Sequence, residues 1–143
     1  MAGGGERLFQ ARQAPVMPTL WVALGSALGG VGRYGMGLAV ARWLGDSFPW
    51  GTLLINILGS FVIGFFGALT LPQGVMPAPA NLRLFVMVGI CGGFTTFSSF
   101  SLQTFTLARE GGWLPAAANV VLSVLLCLAA VTIGQVWGER LSL

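Results

Sequence analysis

Charge is what this 143-residue chain has least of: charged residues make up 8% of it, against about 25% in a soluble domain. Too little polar surface is left to face water. Histidine is absent, and the four acids, Glu6, Asp46, Glu110 and Glu139, all fall between or outside the long apolar runs. Proton-coupled pumps and exporters rely on an acid or a histidine inside the membrane, and acid–base or metal catalysis needs similar groups. Their absence argues against an enzyme and against a proton-coupled carrier. The two cysteines, Cys91 and Cys127, sit inside apolar runs, where they behave as small hydrophobes. Neither a disulfide framework nor a metal-ligand spacing is supported. The seven basic residues are arginines scattered along the chain, with no basic run and no interleaved aromatics of the kind that grips nucleic acid. Such charge suits the headgroups of a lipid bilayer.

What the chain has in plenty is apolar length. Hydrophobic residues make up 55% of it and the mean hydropathy is +0.84, which predicts an all-α integral membrane protein. Four runs, residues 17–41, 50–71, 84–108 and 113–137, are long enough for a hydrocarbon core that takes about 20 residues of helix. Trp21, Trp43, Trp50, Trp113 and Trp137 lie near the run ends, at the headgroup level that indole rings prefer. Residues 1–16 read as a flexible tail without the cleavage pattern of a signal peptide, residues 17–138 as the transmembrane domain, and 139–143 as a short C-terminal tail. Four spans put both termini on one side, together with Arg7, Arg12, Arg83 and Arg140. Arg42 and Arg109 lie opposite, with Arg33 near them. So slight a positive-inside bias fits insertion in both orientations as well as in one.

The third run carries an interruption at its middle, Gly92-Gly93-Phe94-Thr95-Thr96-Phe97-Ser98-Ser99-Phe100. Glycine costs a helix interior about 1 kcal/mol relative to alanine, and threonine draws backbone bonds onto its hydroxyl. Lipid tolerates non-helical backbone only where it is buried in protein or lines a wet cavity. Two readings follow: a helix broken near its middle to present polar groups, or a tightly packed small-residue contact between helices.

The spans otherwise hold neutral hydrogen-bonding side chains and one cation, an inventory suited to an anion. Thr52, Asn56, Ser60 and Gly64 recur every four residues along the second span. The Asn56 amide can donate two hydrogen bonds to an anion, or act as glue between helices. Phe97, Phe100, Ser101 and Thr104 share a face of the third span. Ring edges there can meet an anion, and rings at helical spacing equally serve a core. Asn119, Ser123 and Cys127 align on the fourth span, where interhelical hydrogen bonding is the default reading. Arg33 lies about two turns from the end of the first span, placed either to attract an anion or to snorkel outward.

Three motifs, Gly30-Val31-Gly32-Arg33-Tyr34, Gly51-Thr52-Leu53-Leu54-Ile55-Asn56 with Gly59-Ser60-Phe61, and the Gly92–Phe100 stretch, resemble the CrcB/Fluc fluoride-channel family of microbial membranes. The resemblance covers all four spans, roughly residues 17–138. It implies an antiparallel, dual-topology homodimer of four-helix subunits in the plasma membrane (the bacterial inner membrane). Two fluoride pathways would run along the dimer interface, letting fluoride leave the cytoplasm down its gradient and relieving its toxicity. By position, Phe97 and Phe100 resemble the family's pore phenylalanines, Asn56 its pore asparagine and Ser123 a polar pore-lining position of the fourth helix. Arg33 matches an arginine near the vestibule, and Thr52 and Thr96 join the pathway on the same reading. Gly92 and Thr95 resemble positions whose backbone carbonyls hold a structural sodium ion at the dimer interface. Cys127 stands on the fourth-helix track where a small or hydroxyl residue is expected. Two rival classes are a small dual-topology multidrug exporter, which needs an acid in its first span, and a non-conducting membrane assembly subunit, for which the small-residue stripes suffice.

Overall fold

A computed structural model describes residues 16–143; all but the last residue of the expected N-terminal tail lies outside them. The four apolar runs become four rods. Helix α1 (Val16–Leu44) turns into α2 (Trp50–Leu69) through Gly45, whose φ of 75° is a left-handed conformation that glycine adopts without strain. The third rod comes in two halves, α3 (residues 80–94) and α4 (residues 97–111), with wide π-type turns over Leu84–Cys91 and Leu107–Gly111. Gly112, at φ 90°, starts α5 (Trp113–Arg140). Among the described residues, α2, the rod Ala80–Glu110 and α5 are long and apolar enough to cross a membrane. The 29 residues of α1 reach as far, but its glycines and two arginines make it the least apolar rod.

The rods pair through backbone rather than bulky side chains. Between α1 and α3, a Cβ on Gly25 or Gly29 would run into the carbonyls of Phe85 and Ile90, and one on Gly89 would lie 2.8 Å from Gly25 Cα. Between α2 and α5, a Cβ on Gly64 would strike Val131 O, one on Gly134 would strike Phe61 O, and one on Gly138 would sit 2.8 Å from Phe65 O. Lipid tails are as apolar as leucine, so membrane helices associate through close packing rather than the hydrophobic effect. Accordingly, α5 buries Ala116, Asn119, Ser123, Ala130, Gly134 and Gly138, a face with no large apolar side chain.

The ends are tied by polar contacts. Arg83, at the start of α3, donates through Nη1 to Thr70 Oγ1 and Gly67 O, at the C-terminal end of α2. The free carbonyls and partial negative charge of a helix C-terminus favour a cation there. Ser142 Oγ accepts from Val75 N–H (3.2 Å), joining the chain's end to the loop after α2. Trp43 and Trp113 are 89% and 81% exposed, as interfacial anchors are. Trp137 instead packs on Phe61 and Phe65, with ring centroids 5.9 and 5.5 Å away.

Candidate ion pathway

The interruption of the third rod is real, but it falls on the threonines. Gly92 and Gly93 remain helical, and the chain leaves the helix at Thr95 (φ −77°, ψ 156°) and Thr96 (φ −151°, ψ 112°). Gly93 has a different reason to be glycine: a Cβ there would lie 2.6 Å from Ser26 O on α1. The freed backbone is satisfied locally. Thr95 donates to Cys91 O through both its N–H (2.9 Å) and its Oγ1 (2.8 Å). Thr96 N–H donates to Asn56 Oδ1 (2.8 Å), while Asn56 Nδ2 donates to Thr96 O (3.2 Å). One amide on α2 thus pairs with both backbone polar groups of a residue that has left its helix. Thr96 Oγ1 accepts from Ser99 N–H (3.2 Å), capping the N-terminus of α4.

Beside the break lies a cavity of about 360 Å³, roofed by α3 and α4 and walled by α2 and α5. Of the residues expected to form an ion pathway or a metal site, seven meet here: Asn56, Gly92, Thr95, Thr96, Phe97, Phe100 and Ser123. Among the described residues, those lining it carry no charge. The Phe97 and Phe100 rings are 5.3 Å apart and tilted by 46°. Phe97 is 78% exposed in the single chain. Ser101 and Thr104 do not share this lining; their hydroxyls donate to Phe97 O (2.9 Å) and Phe100 O (2.7 Å) on their own helix.

The polar wall on α5 is a relay. Asn119, 1% exposed, donates through Nδ2 to Thr104 Oγ1 (2.8 Å), the interhelical bond its position predicts. Ser123 Oγ donates to Asn119 Oδ1 at 3.5 Å, a contact long enough that the hydroxyl hydrogen can turn to another acceptor. Cys127 follows one turn on and lines the same cavity.

Thr52 and Arg33 lie elsewhere. They line a second cavity, about 540 Å³, that opens toward the turn between α1 and α2 and includes Asp46. Thr96 lines both cavities, so the break stands as the wall between them. Helix α4 also contributes polar residues here beyond those expected for the pathway, Ser99, Gln103 and Thr106. Their offsets of 3, 7 and 10 from Thr96 mark a second helix face, hidden behind the more conspicuous phenylalanines. Gln103 Oε1 is buried without a hydrogen-bond partner among the described residues.

The family profile described as CrcB-like protein, Camphor Resistance (CrcB), matches residues 20–135, which is most of the chain and all four rods. The chain belongs to the CrcB family. Its relatives include proteins named "Fluoride-specific ion channel FluC" from Rhodospirillum rubrum, Opitutus terrae and Methylocella silvestris. The first is 59% identical over 84% of this chain and 93% of the relative. The second is 56% identical over 82% and 89%, and the third 55% identical over 84% and 92%. Both cavities and the break fall inside the CrcB match.

Proposed function

We propose that this protein is a fluoride-specific ion channel that conducts passively across the membrane it spans, and is not an enzyme. The observation that carries the reading is the cavity beside the broken helix, lined by an amide, hydroxyls and two phenyl rings without charge, in a chain closely related to proteins named as fluoride channels. Fluoride is small and strongly hydrated, so a path must replace its water at close range. Asn56 keeps one Nδ2 hydrogen beyond the one given to Thr96 O. Ser123 contributes a hydroxyl, and Phe97 and Phe100 their positive ring edges. The N-terminus of α4 adds its partial positive charge at the same depth. Thr52 and Arg33 serve the second cavity as a vestibule, with Thr96 between the two.

Two further parts belong to this reading. Phe97 stands largely exposed at membrane depth, which supports a second copy of the chain closing the open side of the cavity as an antiparallel homodimer in the plasma membrane (the bacterial inner membrane). A sodium ion at that interface is supported by the C-terminus of α3. Thr96 N–H, which would bond Gly92 O in an unbroken helix, goes to Asn56, and a Cβ on Gly92 would meet nothing within 4 Å of its own chain. Hard cations take oxygen ligands, and the carbonyls of Gly92 and Thr95 supply them. The test is anion efflux from liposomes holding the purified protein, clamped with a potassium ionophore. Fluoride should leave and chloride should not, and replacing sodium by an organic cation should lower the rate. Equal chloride flux would refute selectivity, and a sodium-independent rate would remove the metal.

A further inference from the structure

The first cavity does not end at Cys127. It shares Ile63 and Met87 with another cavity of about 320 Å³, whose far end holds Arg83 and Gln135. Three helix faces line the two adjoining cavities, which together form the groove considered below. On α3, Arg83, Met87 and Cys91 succeed one another every four residues. On α5, Cys127, Val131 and Gln135 do the same, and on α2 the stripe of Ser60 and Gly64 runs between them. A period of four keeps each series on one side of its helix, so the groove runs from the Phe97–Phe100 rings to the membrane side that carries the C-terminus. Arg33 lines the cavity beyond the break on the opposite side.

We propose that Arg83 forms the second mouth of the anion path, drawing fluoride into the groove at the end remote from Arg33; this rests on the channel reading above. Both hydrogen bonds of the guanidinium use Nη1, so among the described residues Nε and Nη2 make none, and Arg83 lines the groove. Its contacts are a hydroxyl and a carbonyl, neither of which cancels its charge. A cation at the end of a low-dielectric groove concentrates anions there, and salt screens the effect. Gln135, across the mouth, donates to Glu139 Oε1 (2.7 Å) on the next turn, where Glu139 is exposed.

The competing role for Arg83 is structural, as the cap of α2, and the experiment separates the two. Fluoride efflux from liposomes is measured at low and high ionic strength for the wild type, Arg83→Gln, Thr70→Val, Gln135→Glu and the double variant Arg83→Gln with Gln135→Arg. A mouth predicts roughly three- to tenfold lower flux for Arg83→Gln at low salt, shrinking at high salt. It also predicts recovery in the double variant, which restores the charge from α5 without restoring the cap, and near-wild-type flux for Thr70→Val. Gln135→Glu leaves the cap intact and should slow flux in the same salt-dependent way, so it decides the matter even if Arg83→Gln fails to fold. Equal, salt-independent losses in Arg83→Gln and Thr70→Val, or unchanged flux in Gln135→Glu, would overturn the proposal. Loss confined to these variants leaves the channel reading standing, whereas a wild type that passes no fluoride overturns both.

Discussion

At the scale of single residues, Asn56 has two jobs. Its sequence position offers an amide to an anion, and the structure adds that the same amide holds both backbone groups of Thr96. The two variants that test the pathway therefore differ in kind. Asn56→Leu leaves a buried N–H and a buried C=O unpaired, at about 1–3 kcal/mol each, so it should lower both fluoride flux and the melting temperature of the solubilised protein. Phe100→Ile keeps bulk, breaks no hydrogen bond and removes the ring quadrupole. It should keep the melting temperature and cut flux tenfold or more, since ~1.4 kcal/mol of lost transition-state stabilisation gives that factor. Phe94→Leu, whose ring lies over Gly32 and Gly59 rather than in the cavity, should be milder. Normal flux through Phe100→Ile would return that ring to a packing role.

At the scale of helices, the pairing of rods rests on glycine, and not every glycine takes part. Gly134 on α5 has the backbone of Phe61 where a Cβ would go, whereas Gly30 on α1 has open space. Gly134→Ala should lower the melting temperature markedly and broaden the size-exclusion profile. Gly30→Ala should be neutral or slightly stabilising, because alanine gains up to about 1 kcal/mol over glycine inside a helix. Equal effects would remove close approach from the account of how the rods pair. The span count and the loops were legible in hydropathy and tryptophan placement, because membrane thickness sets helix length whatever the packing. The interruption was legible as a region, from two glycines beside two threonines. Its exact place was not, since Gly93 answers to the nearness of Ser26 and Thr96 leaves the helix because Asn56, forty residues earlier, receives it. The division of the site into two cavities was also hidden: Thr52 and Asn56 share a helix stripe, yet the break on another helix passes between them.

At the scale of the whole molecule, the open side of the cavity and the balance of arginines bear on one question, which way the chain sits. In the sequence, Arg7, Arg12, Arg83 and Arg140 fall on the side of the termini and Arg42 and Arg109 on the other, with Arg33 facing a cavity on that second side. Four against two or three is a slight bias by the positive-inside rule. Chains inserting both ways supply the two orientations that an antiparallel pair needs, and such a pair would cover the exposed Phe97 of each copy. The prediction is read by placing one reporter thiol at the exposed C-terminus, Leu143→Cys, with Cys127→Ser removing the cavity thiol and Cys91 left buried. A membrane-impermeant maleimide should label comparable fractions of the protein from the periplasmic side of intact cells and from the cytoplasmic side of inverted vesicles. Adding two lysines beside the reporter should shift nearly all labelling to the cytoplasmic face, because a bias this small is tipped by one or two charges, and flux should fall as antiparallel pairs become scarce. Labelling of the unmodified balance from one face only would end the dual-topology reading, and a partner of the same orientation would then have to close the groove beside Phe97.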